Sequence, residues 1–252
     1  MIGQEAGKSF AYILGVYLGD GCVTTWRAAG KSDRLIFRLN TIDEDFAQAT
    51  KTALAQLTDY TVTLSRHAVS KSSKPNWALA LGDRVLCERL VTDTEKKRII
   101  PSYVSEWPRE QKLAFIAGLM DSEGFVAANS NHTGRRFYMG FKSCDPWVSD
   151  FARILQSVGI EIGKIGIEKP LKDGYKTPTR FAIKMQSWID SGARFNIARK
   201  QRRVDEWAAT VPDPRGMRFR AKLTPETICQ APPKTDEDIV RSHFERVRGR
   251  QK

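Results

Sequence analysis

Two stretches of this chain repeat each other, and that repeat limits the possible folds more than any other feature. "YILGVYLGDGC" runs from Tyr12 to Cys22, and "FIAGLMDSEGFV" runs from Phe115 to Val126. Both are apolar segments that close on an acid followed by glycine. Aligned, Gly15 falls on Gly118, Val16 on Leu119, Gly19 on Ser122, Asp20 on Glu123 and Gly21 on Gly124, an offset of 103 residues. The match continues downstream at an offset of 102, with "RLIFRLNTID" (Arg34 to Asp43) over "RFYMGFKSCD" (Arg136 to Asp145). Leu35, Phe37 and Leu39 then fall on Phe137, Met139 and Phe141. A duplicated domain explains two motifs and a shared alternation at nearly one offset.

Each copy reads as α-β-β-α-β-β-α. An apolar helix ends on the acid, and a strand follows at Val23 to Trp26 and at Val126 to Ser130. The second strand alternates apolar and polar residues with period two, so one face is buried and the other is free. Amphipathic helices are expected over Glu44 to Leu57 and Trp147 to Val158. Asp43 and Asp145 are placed to cap them, and Gly159 to stop the second. Two further strands follow in each copy, "TVTL" with "WALAL" and "IGKIGIE" with "RFAIKM". Helix and basic sequence close each copy. The expected division is 1–100, 101–210 and a basic extension at 211–252, read as a solvated tail with a short helix after Asp236. The fold class is α+β, two pseudo-symmetric halves each with a four-stranded antiparallel sheet.

Small residues recur four apart in both motifs, Gly15 with Gly19 and Gly118 with Ser122. Positions i and i+4 share a helix face, and a face of small residues lets two backbones approach closely. If the two motif helices pack together, Asp20 and Glu123 meet near a pseudo-two-fold axis. Two close carboxylates repel and also face the negative ends of two helix dipoles. Divalent cations offset that cost, and Mg²⁺ takes oxygen ligands. Two metal ions about 4 Å apart suit phosphodiester hydrolysis. Asp121 aligns with Leu18 and breaks the symmetry, so it is expected either to be structural or to support the site from behind the two acids.

Charge points to the same class of partner. The 41 Lys and Arg against 29 Asp and Glu leave a formal charge of +12, which favours a polyanion. The four cysteines include no Cys-x-x-Cys pair, which excludes zinc ribbons and redox motifs, and the lone thiols suit a reducing compartment. No apolar run approaches the ~20 residues of a membrane span. The N-terminal sequence lacks the basic-then-apolar order of a signal peptide.

At these residues the chain resembles a family. "ILGVYLGDG" and "IAGLMDSEG" resemble the two copies of the LAGLIDADG motif, more closely in the second, and the chain looks like a single-chain LAGLIDADG homing endonuclease over about residues 10 to 210. The resemblance implies αββαββα halves joined at a two-helix interface, with sheets forming a saddle over the DNA major groove. It implies metal binding by Asp20 and Glu123 with help from the carbonyls of Gly19 and Ser122. Two or three Mg²⁺ ions are implied, with Mn²⁺ substituting and Ca²⁺ binding without cleavage. Both strands would be cut across the minor groove, leaving 3′ overhangs. A basic residue near the metals is expected in each half. "KKRIIPSYV" resembles the family's Lys-x-Ile-Pro segment, where Arg98 holds the strict position and Lys97 lies beside it; Lys97 is the choice in the first half and Lys200 in the second. Asn40 or Thr41, and Lys142, match a position that orients water.

The free faces of the strands supply the expected DNA contacts. These are Thr24, Trp26, Arg34, Ile36, Arg38 and Asn40 in the first half. Asn129, Asn131, Arg136, Tyr138, Lys142, Arg180 and Lys184 serve in the second. Arg reads guanine and Asn reads adenine by paired hydrogen bonds in the major groove. A strand of ~8 residues spans about 26 Å, on the order of eight base pairs, so two halves imply a long target. Arg38 against Gly140 makes that target only loosely palindromic. Lys164, Lys169, Lys172 and Lys176 are candidate backbone contacts. The expected state is a monomer on double-stranded DNA. An intron-RNA maturase and a non-catalytic DNA-binding regulator are the alternatives; the paired acids favour cutting.

Overall fold

The structure is a computed structural model that describes residues 4–27, 32–67, 76–131, 134–168, 177–209, 211–212 and 219–220. Residues 1–208 form one compact unit and 209–252 a second. In the second unit the described residues are the strands β9 (Val211–Pro212) and β10 (Phe219–Arg220), paired antiparallel. The helix expected after Asp236 lies outside the described residues, as do Lys169, Lys172, Lys176 and the side chain of Asn131.

The first unit repeats its architecture as its sequence repeats. In chain order, α1 (Gln4–Leu18), β1 (Cys22–Trp26), β2 (Arg34–Thr41), α2 (Glu44–Ala55), β3 (Thr63–His67), β4 (Asn76–Leu81) and α3 (Arg84–Asp93) make the first half. A short 3-10 helix at Ser102–Glu106 leads into α4 (Arg109–Ser122). Then come β5 (Gly124–Asn131), β6 (Gly134–Ser143), α5 (Val148–Ser157), β7 (Gly166–Ile167), β8 (Thr179–Ala182), α6 (Met185–Asp190) and α7 (Ala198–Ala208). The first sheet has strand order β1-β2-β4-β3. Within this unit β5, β6, β8 and β7 pair antiparallel in the matching order.

Period-two alternation decides which face of each sheet is covered. Phe37 and Leu39 of β2 are buried with Leu79 and Leu81 of β4, and Phe46 and Leu54 of α2 join the same core. The second half is more aromatic. Phe141 lies between Phe151 of α5 and Phe181 of β8, with ring centroids at 4.6 and 5.6 Å. Arg34, Arg38 and Asn40 stay exposed on the opposite face of β2, and Arg136 and Tyr138 on that of β6.

Three local readings are corrected. Asp43 does occupy the position before α2, but its side chain makes no cap bond; both carboxylate oxygens accept from Arg199. Asp145 does not cap α5, which starts after Trp147. Its carboxylate accepts a hydrogen bond from the Ser143 hydroxyl at 2.6 Å instead. Lys184 lies beyond the end of β8, because its N–H turns to the Glu161 carbonyl and its own carbonyl starts α6. Its ammonium pairs with Glu161. Gly159 does end α5, at a φ of +86° that suits glycine.

Candidate active site

The site is built where α1 and α4 cross. A Cβ on Gly15 would stand 2.4 Å from the Phe115 carbonyl oxygen and 2.9 Å from the Leu119 nitrogen. A Cβ on Gly118 would stand 2.3 Å from the Tyr12 carbonyl oxygen and 2.9 Å from the Val16 nitrogen. The contacts are reciprocal, three residues back and one forward in each helix. Backbone touches backbone around a local two-fold, and only glycine fits. One turn later Gly19 faces Ser122: a Cβ on Gly19 would be 2.3 Å from that of Ser122 and 3.5 Å from Cγ of Glu123.

The crossing therefore brings the C-terminal ends of both helices together. Asp20 follows α1 and is exposed; Glu123 is the last cap of α4 and is half-buried. Among the described residues, neither carboxylate has a hydrogen-bond partner. Loss of water pushes the Asp20 carboxyl up, and Asp43 adds to this, against the pull of Lys200 and Lys97. Loss of water pushes Glu123 up to about 7, helped by the charges of Asp20 and Asp145. Two acids held together at two negative helix ends store a demand for positive charge.

Two lysines meet part of that demand from the carbonyl side. Lys97 Nζ donates to the Gly19 carbonyl at 2.6 Å and lies 5.3 Å from the centre of the Tyr17 ring. Lys200 Nζ donates to the carbonyls of Met120 at 2.9 Å and Asp121 at 2.6 Å. Each lysine caps one motif helix yet acts on both acids, and Lys200, which caps the helix of Glu123, pulls harder than Lys97 on Asp20; their settings also differ. Lys97 is half-buried, and burial lowers its pKa. Lys200 is 5% exposed, and burial lowers its pKa to about 8. The Gly19 carbonyl, expected to face a metal, accepts from Lys97; Ser122 turns its hydroxyl to the Gly118 carbonyl at 3.0 Å.

Lys97 is delivered by an unusual backbone. Glu95, Lys96 and Lys97 all have positive φ, at 48°, 58° and 70°. None is glycine, so the surroundings must impose the conformation. The Thr94 hydroxyl accepts from the Lys97 N–H at 3.1 Å and donates to the Leu90 carbonyl at 2.7 Å. From the other half, the Trp147 indole N–H donates to the Lys97 carbonyl at 3.1 Å. Arg98 is exposed and enters this turn through its N–H, bonded to the Thr94 carbonyl.

Asp121, expected to be structural or to support the site from behind, makes contacts that do both. It is buried, and it accepts from the Tyr12 hydroxyl, the Asn196 side chain and the N–H groups of Asn196 and Ile197. It ties α1, α4 and the entry to α7 together, which sets Lys200 in place. Beyond their places ahead of α2 and α5, Asp43 and Asp145 act on the site electrostatically. The repeat had already aligned them with each other.

Thr24 and Lys142 are half-buried, and Trp26, Asn129 and Arg180 are exposed on their strands. The Thr41 hydroxyl accepts from the Asp43 N–H at 3.1 Å. Lys164 is exposed. Among the described residues, no cluster of three or more His, Cys, Asp and Glu side chains could hold a metal. Asp20 and Glu123 form a pair, which suits Mg²⁺, an ion bound through one or two carboxylates plus water and phosphate.

Solved homing endonucleases share this fold. Mesophilic variants of the homing endonuclease I-DmoI match with a TM-score of 0.50 at 15% identity, over 77% of this chain and 97% of theirs. An I-DmoI variant in complex with its target DNA in the presence of 2 mM Mg matches with a TM-score of 0.51 at 14% identity, over 75% and 97%. I-DmoI in complex with DNA and Ca matches with a TM-score of 0.50 at 15% identity, over 74% and 88%. No protein-family model matches the sequence, and no curated protein does. The likeness establishes the fold, and it is the one the two motifs implied.

Proposed function

We propose that this chain, which has the LAGLIDADG homing-endonuclease fold, is a site-specific DNA endonuclease that uses divalent metal ions to cut both strands of a long, asymmetric duplex. The observation that carries this reading is the pair of unpartnered carboxylates, Asp20 and Glu123, set side by side by the glycine crossing. A DNA-binding protein without catalysis has no use for two converging acids that weaken its fold. The I-DmoI structures with target DNA and with Mg or Ca support the same class of partner and cofactor.

Asp20 and Glu123 would hold the metals, which would supply an activated water and stabilise the leaving oxygen. The other residues position and compensate. Lys97, half-buried beside both acids, brings a positive charge toward the phosphate that would lie there. Its lowered pKa lets it release a proton more readily than a free lysine. Lys200, buried against two carbonyls, fixes the end of α4 and hence Glu123. The exposed faces of β1, β2, β5, β6 and β8 would lie along the major groove. There Arg34, Arg38, Asn40, Arg136, Tyr138, Lys142 and Arg180 would read base edges. The protein would act as a monomer, because both acids come from one chain.

The test is cleavage of a library of randomised duplexes with Mg²⁺ or Mn²⁺. The wild type should cut a limited set, leaving 3′ overhangs. Asp20→Asn should abolish cutting and retain binding to the same sequences. Failure to cut any duplex with either metal, together with tight binding to a structured RNA, would refute the proposal in favour of a maturase.

A further inference from the structure

One residue on the exposed face of the second sheet has the wrong sign for a surface that meets DNA. Glu168, just after β7, accepts from the ammonium of Lys142 at 2.6 Å and from the guanidinium of Arg180. The register brings them together. Lys142 stands opposite Arg180 across β6 and β8, and Arg180 stands opposite Gly166 across β8 and β7. Glu168 lies two residues beyond Gly166, hence on the same face, and its N–H bonds the Pro178 carbonyl at 2.9 Å. All three side chains keep contact with solvent, at 41% for Lys142, 59% for Arg180 and 25% for Glu168. The matching row of the first sheet is Asn40, Ala78 and Ser65, and the residue two beyond Ser65 is His67, so no carboxylate stands there.

Exposed ion pairs of this kind contribute little to folding stability, so the core does not require Glu168. Against a phosphate backbone a carboxylate is repelled. Against base edges it discriminates. It accepts a hydrogen bond from the amino group of cytosine or adenine and has nothing to offer the oxygens of guanine or thymine. Its two oxygens keep acceptor capacity after pairing with both cations. The Lys142 contact also holds the Glu168 carboxyl below the usual range, which keeps it ionised.

We infer that Glu168 is a specificity-determining residue of the DNA site. On the strand it faces it selects cytosine or adenine, whose amino groups donate in the major groove, over guanine or thymine, and it holds Arg180 and Lys142 toward neighbouring guanine acceptors. It also penalises non-specific duplex by occupying two cations that would otherwise meet phosphates. This rests on the endonuclease reading above.

The experiment compares the full-length wild type with Glu168→Gln. Each is incubated with a pool of randomised duplexes in Ca²⁺, and the bound fraction is sequenced. Non-specific affinity is measured over a salt series. The variant should melt at the wild-type temperature. Its preference should relax by about fivefold to a hundredfold at one or two adjacent base pairs in one half of the site. Its affinity for non-specific duplex should rise, and the slope of log K against log salt should steepen by about 0.9 for each cation released onto phosphate. An unchanged preference at every position, with an unchanged slope, would overturn the role of Glu168 and leave the endonuclease reading standing. A wild type that enriches no duplex sequence would overturn both.

Discussion

Replacing Gly118 with alanine tests whether the helix crossing controls both the fold and the site. The new Cβ would lie 2.3 Å from the Tyr12 carbonyl oxygen and 2.9 Å from the Val16 nitrogen. Ordinary contact lies near 3.5 Å, so α1 and α4 must part by about 1 Å. Both obstructing atoms are backbone, and no side-chain rotation relieves them. Overpacking of this kind costs about 1–3 kcal/mol; rigid neighbours put Gly118→Ala at the upper end. In a unit of this size each kcal/mol moves the melting temperature by about 2–4 °C, so a fall of about 6–12 °C is expected. The same displacement separates Asp20 from Glu123, and a misplacement of about 1 Å can cost about a hundredfold in rate. Single-turnover cleavage, measured well below the melting point, should fall by that order while DNA binding changes far less. Gly15→Ala should behave alike, and the double variant should lose less than the sum, because helices already parted accommodate the second methyl. Gly82 is the control: a Cβ there meets nothing within 4 Å, so Gly82→Ala should be neutral or slightly stabilising. A Gly118→Ala protein that melts within a degree of wild type and cuts at the wild-type rate would refute the reasoning.

Two further outcomes follow from the charges around the crossing. Glu123 has a folded pKa near 7, above the 4.5 of a free glutamate, so the folded state holds the proton more tightly and the metal-free protein loses stability as pH rises from about 4.5 to about 7. The limit is about 3 kcal/mol; Glu123→Gln should flatten this slope in denaturant titrations across pH 5 to 8, and an unchanged slope would show that Glu123 is not the group responsible. Lys200→Met should destabilise the protein by about 1–3 kcal/mol, because the carbonyls of Met120 and Asp121 lose their donor; stability equal to wild type in chemical denaturation would contradict its role as the cap of α4.

The parts of this protein that were legible in its sequence are those written twice. Gly15 and Gly118 announced a close crossing because small residues at helical spacing have one obvious steric use, and the repeat identified the partner. The alternation in "RLIFRLNTID" identified the buried face of β2, and its copy did so for β6. What stayed hidden depends on contacts with no periodicity. Arg199 reaches Asp43 across 156 residues, and no spacing rule pairs them. The left-handed turn at Glu95 to Lys97 contains no glycine or asparagine to signal it. It is imposed by the Thr94 hydroxyl and by a tryptophan from the other half. Lys97 and Lys200 looked equivalent as basic residues near the close of each copy. Burial separates them, since one ammonium stands at the edge of the acid pair and the other is enclosed by the end of α4. The symmetry of this molecule thus belongs to its backbone crossing, while the groups that compensate its two acids were recruited separately in each half. Under the proposed endonuclease function, the two strands of DNA would therefore meet unequal surroundings at the two acids, as they would meet unequal reading faces on the two sheets.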